Sequence, residues 1–153
     1  MPDLTLAEKN QLADLLCILA IKLLLLPKPD NEQRHSLAII SACSAAENII
    51  YDKLLQPAVA TLKDNLNQAL QDKVFVKSAQ ENTTIREKLN EIYLLLQQKV
   101  VPAKQRAIAT SIYRYAYKLA SIAGEEFANI GKNVSADEAE TLLLIRDIFK
   151  LQR

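Results

Sequence analysis

From Leu12 to Leu26 the chain reads LADLLCILAIKLLLL, with only Asp14 and Lys22 breaking the apolar run. Thr5 and Glu8 stand just upstream in the spacing of a capping box, so a helix is predicted from Thr5 to about Leu26. Pro27 and Pro29 end it, because proline cannot continue the hydrogen-bond ladder. Asp30, with Gln33 three positions later, has the form of the next N-cap, and the second helix carries SLAIISACSAAENIIY, residues 36–51. Its Ala and Ser residues suit close approach to another helix. Pro57 is placed to open a third helix with a stripe of Val59, Leu62, Leu66 and Leu70. KVFVK, residues 73–77, is β-prone but too short to build a sheet, and SAQENTT, residues 78–84, reads as a polar loop. Thr84 and Glu87 repeat the capping box ahead of Ile85, Leu89, Ile92 and Leu96. A fifth helix is predicted from Pro102 to about Gly124, with Ile108, Ile112, Tyr115, Leu119 and Ile122 on its core side. Ser135 and Glu138 open a last helix that runs to the C-terminus.

The pattern predicts an all-α fold, a single-domain bundle of about six to seven helices over residues 1–153. Composition agrees. Hydrophobic residues make up 50% of the chain and charged residues 24%, which sets it apart from disordered sequences. There are two glycines and no tryptophan, and helix-forming residues dominate. A net charge of +1 supplies no general attraction for nucleic acid or anionic membrane, and nucleic acid is not expected as a partner. The run from Leu12 to Leu26 is shorter than the ~20 apolar residues of a membrane span and carries two charges. It reads as a core helix, not a transmembrane segment. No signal peptide is recognisable, and a cytoplasmic location is expected. Cys17 and Cys43 have no metal-type spacing and read as small buried hydrophobes.

Sequence motifs for catalysis are lacking: there is no glycine-rich phosphate loop, no HExxH and no zinc-type cluster. His35, the single histidine, follows Arg34 and reads as a solvated surface residue. The expectation is therefore a non-enzymatic protein with no cofactor. Two features bear on binding. On the fifth helix Tyr113 and Tyr117 fall roughly opposite the core side, near Arg106 and Arg114. Tyrosine beside arginine is a common contact composition, and the same pair also fits a second buried face of a layered bundle. No extended basic track is recognised beside these aromatics, which argues against single-strand nucleic-acid stacking. The second feature is AGEEFANIGKNVSADEAE, residues 123–140, which holds both glycines, Gly124 and Gly131. Either glycine suits the left-handed conformation that ends a helix. Acidic residues in a first turn favour the positive end of a helix dipole. Alternatively, Glu125, Glu126, Asp137 and Glu138 converge on a divalent cation through oxygen ligands.

The stretch YKLASIAGEEFANIGKNVSADEAETLLLIRDIF, residues 117–149, is similar to the C-terminal part of the TerB-like family, which is associated with bacterial tellurite resistance. The features that carry the resemblance are Ala120, Gly124, Gly131, Val134-Ser135, Glu138, and the aliphatic and aromatic positions Leu142, Ile145 and Phe149. The resemblance implies an all-helical fold with two related helix-turn-helix halves, each with an acidic turn. LAIKLLLLPKPDNEQRHSLAII, residues 19–40, would supply the first half, with Asp30 and Glu32 at its turn. The family's Ala-Asp-Gly is replaced in both halves, by PKPD and by SIAGEE. It further implies a stress-response role exercised through a protein partner or a bound divalent cation. The alternative is a helical adaptor or homo-oligomer unrelated to tellurite.

Overall fold

The computed structural model describes residues 4–25, 32–49, 51–126 and 136–151. Among these residues there are eight α-helices, one 3₁₀ turn and no strand. They are α1 (Leu6–Leu25), α2 (Glu32–Ala46), the 3₁₀ turn (Glu47–Ile49), α3 (Gln56–Ala60), α4 (Leu62–Leu70), α5 (Lys73–Ala79), α6 (Asn82–Lys99), α7 (Pro102–Glu126) and α8 (Ala136–Ile148).

Helix α1 is the axis of the bundle. It packs against α2, α3, α4, α5, α6 and α7, and every residue from Leu15 to Leu24 is buried. A helix that is apolar on all sides has no solvent face to offer, so its neighbours must enclose it. The charged exception, Lys22, is buried as well, and its ammonium donates a 2.7 Å hydrogen bond to the carbonyl of Gln80 just after α5. At the start of α1 the capping box forms as predicted. The Thr5 amide donates to Glu8 Oε1 at 2.8 Å, and the Glu8 amide donates to Thr5 Oγ1 at 3.1 Å. No helix among the described residues is long and apolar enough to cross a membrane.

The predicted stripes are buried at Leu62, Leu66 and Leu70, at Ile85, Leu89, Ile92 and Leu96, and at Ile108, Ile112, Tyr115 and Leu119. Val59 and Ile122 are half-buried. Leu142, Ile145 and Phe149 are buried where α8 meets α6 and α7, and the Phe149 ring stacks on Tyr93 with centroids 6.4 Å apart.

Four local expectations are corrected. The helix from Pro57 divides at Thr61, whose hydroxyl donates to the Pro57 carbonyl at 3.0 Å and thereby competes with the backbone ladder. KVFVK is helical, not β-prone in practice. Asp72 caps α5 by accepting from the Phe75 amide at 3.1 Å, and Val76 and Ala79 are buried. A lone strand there would leave its amides and carbonyls unpaired, which outweighs a weak local preference. The loop expected over 78–84 shrinks to Gln80 and Glu81, since α6 begins at Asn82. Thr84 thus lies inside α6, where its hydroxyl meets Ser78 Oγ at 3.1 Å instead of capping a helix. Finally, Gly124 does not end α7, which continues to Glu126. Asp30, Gly131 and Ser135, each read as a helix boundary, lie outside the described residues.

Candidate interaction surface

Over residues 102–122 helix α7 is amphipathic. Ile112, Tyr115, Ala116 and Leu119 are fully buried, and the helix packs on both α1 and α2. Its other side meets the connection between the 3₁₀ turn and α3. That connection is anchored by Ser111, whose hydroxyl donates to the Asp52 carboxylate. Asn48 ties back to α2 through a 3.1 Å hydrogen bond to the Ala45 carbonyl.

Three open depressions follow one another along this seam. The first, of about 720 Å³, is lined by Leu4, Leu54, Pro57 and Ile108 with Lys9, Lys53, Lys104 and Tyr51. The second, of about 510 Å³, is lined by Arg106, Thr110, Ser111 and Arg114 and shares Tyr51, Asp52 and Ala107 with the first. The third, of about 500 Å³, is lined by Tyr113, Tyr117 and Lys118 and shares Asn48 and Arg114 with the second. Adjacent depressions share lining residues, so they follow one another as a single open seam along α7, called the groove below.

Tyr113 and Tyr117 sit one helical turn apart, with ring centroids separated by 6.4 Å and planes tilted by 33°. Tyr113 is half-buried and packs against the core, whereas Tyr117 is 51% exposed. Arg106 and Arg114 are both exposed, and Arg114 shares the third depression with the two rings.

The structure brings in residues that the sequence pattern did not single out. Lys53, Lys104 and Lys118 extend the expected Arg106 and Arg114 into a basic track along the seam, with Arg114 and Lys118 beside Tyr113 and Tyr117 and Lys9 at the far end. Tyr51, on a different segment, joins them and is 84% exposed. A signal for α7 was present in the chain: between Glu91 and Glu125 there is no Asp or Glu, while Lys99, Lys104, Arg106, Arg114 and Lys118 fall in that interval. Nothing comparable marks Tyr51, Lys53 or Lys9, which packing alone delivers.

The acidic candidates lie at the C-terminal end of α7 and the start of α8. Glu125 and Glu126 are the last two residues of α7, and Asp137 and Glu138 fall in the first turn of α8. Glu138 is half-buried. Residues 127–135, which join the two pairs, and the side chains of Glu125, Glu126 and Asp137 lie outside the described part of the chain. Among the described residues no group of three or more His, Cys, Asp or Glu side chains is placed to hold a metal ion. His35 is half-buried on α2 and not fully solvated. Both cysteines are free, with Cys17 buried and Cys43 half-buried. Burial, with a smaller contribution from the charge of Asp14, pushes the Cys17 thiol up to about 12. Burial also raises Cys43. Neither thiol is set up as a nucleophile, which requires an accessible thiolate. Comparison of the chain with protein-family models, with curated proteins and with solved structures finds no match.

Proposed function

We propose that this chain is a non-enzymatic helical module that acts by binding a protein partner through the Tyr113–Tyr117 face of α7. The observation that carries this reading is the exposed Tyr117 ring, braced by Tyr113 and flanked by Arg114 and Lys118 in one depression. A rigid tyrosine gives up little side-chain freedom on binding, and Tyr and Arg dominate the energetic centres of interfaces. The test is a Tyr113→Ala/Tyr117→Ala double variant compared with the parent by sedimentation velocity and by cross-linking in its native extract. Loss of a specific cross-linked species, with helicity and melting temperature retained, is the expected result. Unchanged self-association and unchanged capture remove this face from consideration.

The resemblance of residues 117–149 to the TerB-like family supports a stress-response setting for the module, with a divalent cation between the end of α7 and the start of α8. The specific observation in its favour is that two carboxylates close α7 and two more open α8, and the two helices pack together. Calorimetric titration of chelator-stripped protein with Ca²⁺, Mg²⁺ and Zn²⁺ tests it. Saturable binding that an Asp137→Ala/Glu138→Ala variant loses is expected. Absence of heat, with an unchanged melting temperature, leaves the acidic start of α8 as a contribution to its helix dipole alone.

A further inference from the structure

The tyrosine pair is one end of a longer feature. From Lys104 to Lys118 the groove follows α7 for ~21 Å at 1.5 Å per residue. Its walls carry six cationic side chains: Lys9, Lys53, Lys104 and Arg106 toward one end, and Arg114 and Lys118 toward the other. Among the described lining residues Asp52 is the one carboxylate, and the Ser111 hydroxyl already bonds it. The whole chain carries a net charge of only +1, so this concentration is local. A depression with an excess of one sign focuses its field on whatever approaches it.

We propose that this groove binds an acidic, partly apolar segment of a partner protein. The inference rests on the reading of Tyr113 and Tyr117 as a partner contact and supplies the chemistry of that partner. Carboxylates of the segment meet the cations along α7, and the arginines offer paired donors that match a carboxylate's two oxygens. Its aliphatic side chains settle on Leu54, Pro57 and Ile108 at one end and on the Tyr117 ring at the other. That aliphatic floor favours a peptide over single-stranded nucleic acid, which stacks successive bases on successive aromatic faces. Here Tyr113 and Tyr117 pack on each other, and Tyr51 stands apart on another segment.

The experiment is fluorescence anisotropy with three labelled probes: an amphipathic Glu/Leu peptide, its Lys/Leu counterpart, and oligothymidylate of the same length. Each is titrated with the full chain, with Arg106→Glu/Arg114→Glu, and with a control reversal away from the groove, Lys63→Glu/Arg86→Glu. The Glu/Leu peptide is expected to bind saturably and to weaken as salt rises. The groove reversal should weaken it by at least about tenfold, as expected when close charge pairs become repulsive, while the control stays within about twofold. The Lys/Leu peptide should not bind. Three results overturn the proposal: no binding of the Glu/Leu peptide, equal loss in both reversals, or tighter groove-dependent binding of oligothymidylate. The Tyr113→Ala/Tyr117→Ala variant separates this inference from the function it rests on. If that variant loses its cross-linked partner while the Glu/Leu peptide ignores the arginines, the partner is not acidic and the inference falls alone. If partner capture survives the tyrosine variant and the peptide still requires Arg106 and Arg114, the acidic-segment groove holds and the tyrosine contact falls.

Discussion

The phenol of Tyr115 on α7 donates a 2.7 Å hydrogen bond to the backbone carbonyl of Leu16 on α1, and both residues are fully buried. A carbonyl has two lone pairs, so Leu16 accepts this bond without leaving its own helix ladder. The bond joins the helix that forms the axis to the helix that carries the groove. It also gives a large aromatic side chain a polar partner at the one atom that requires it.

This contact gives the first prediction. Tyr115→Phe removes one hydrogen bond and leaves the ring, so the loss is about 1 kcal/mol. Tyr115→Ala also opens a cavity between α7 and α1, for a loss of ~3–5 kcal/mol. Urea denaturation of both variants checks the ordering. Equal losses would mean that the ring contributes nothing beyond its hydroxyl.

Alkaline pH should destabilise the protein for a related reason. Burial holds the Cys17 thiol at about 12, against an ordinary value of 9.0. It also holds the Tyr115 phenol well above its ordinary 10.0. In the unfolded chain both groups ionise at their ordinary values. Above pH ~9 the unfolded state therefore releases protons that the folded state keeps, and stability falls as pH rises. For Cys17 the stabilisation is complete below about pH 9 and diminishes toward about pH 12; for Tyr115 the loss begins above its ordinary 10.0. Urea midpoints measured from neutral to strongly alkaline pH should decline, and Cys17→Ala should decline less steeply. A flat profile would contradict the burial of both groups.

These features were unequally legible in the chain. The stripes of α6 and α7 follow from periodicity, because a helix that buries one side must repeat apolar residues along it, and α1 follows from its apolar run between a capping box and Pro27. Residues 73–84 misled because Val74, Phe75 and Val76 favour strands locally. Burial against α1 and the Asp72 cap decide the matter instead. The division at Thr61 depends on one hydroxyl, which a stripe of leucines does not reveal. Tyr113 and Tyr117 were legible as a pair through their four-residue spacing. The groove was not, since Tyr51 and Lys53 reach α7 only through the tertiary packing of the 3₁₀ turn on it.

The capping box at the head of α1 predicts an acid-side effect. Thr5→Ala removes the hydroxyl acceptor for the Glu8 amide and should lower stability by about 1 kcal/mol. The Glu8 carboxylate is held below its ordinary 4.5 chiefly by the Thr5 amide, with help from Lys99 at 3.6 Å. A depressed carboxyl contributes stability above its ordinary value and loses it as pH falls through the folded value. Thermal midpoints of the parent should therefore drop as pH is lowered below about 4.5, and those of Glu8→Gln should drop less. Identical pH profiles would show that the carboxylate is not engaged at the helix start.

The last prediction concerns Asp52, the acceptor of the Ser111 hydroxyl and the carboxylate at the middle of the groove. Ser111→Ala leaves that carboxylate half-buried without its hydroxyl donor, at a cost of ~1.5–3 kcal/mol, the usual range for a hydrogen bond to a charged group. Asp52→Asn behaves differently. The amide oxygen still accepts from Ser111, so stability should stay within about 1 kcal/mol of the parent. The groove, however, loses its central negative charge while all six cations remain. If an acidic segment lies along α7, removal of like-charge repulsion should tighten the Glu/Leu peptide severalfold at low salt, with a smaller gain at high salt. Anisotropy titrations at the two salt concentrations make the comparison. An unchanged affinity in Asp52→Asn, with Arg106→Glu/Arg114→Glu still weakened, would place the bound carboxylates beyond the reach of Asp52, toward the Tyr117 end of the groove.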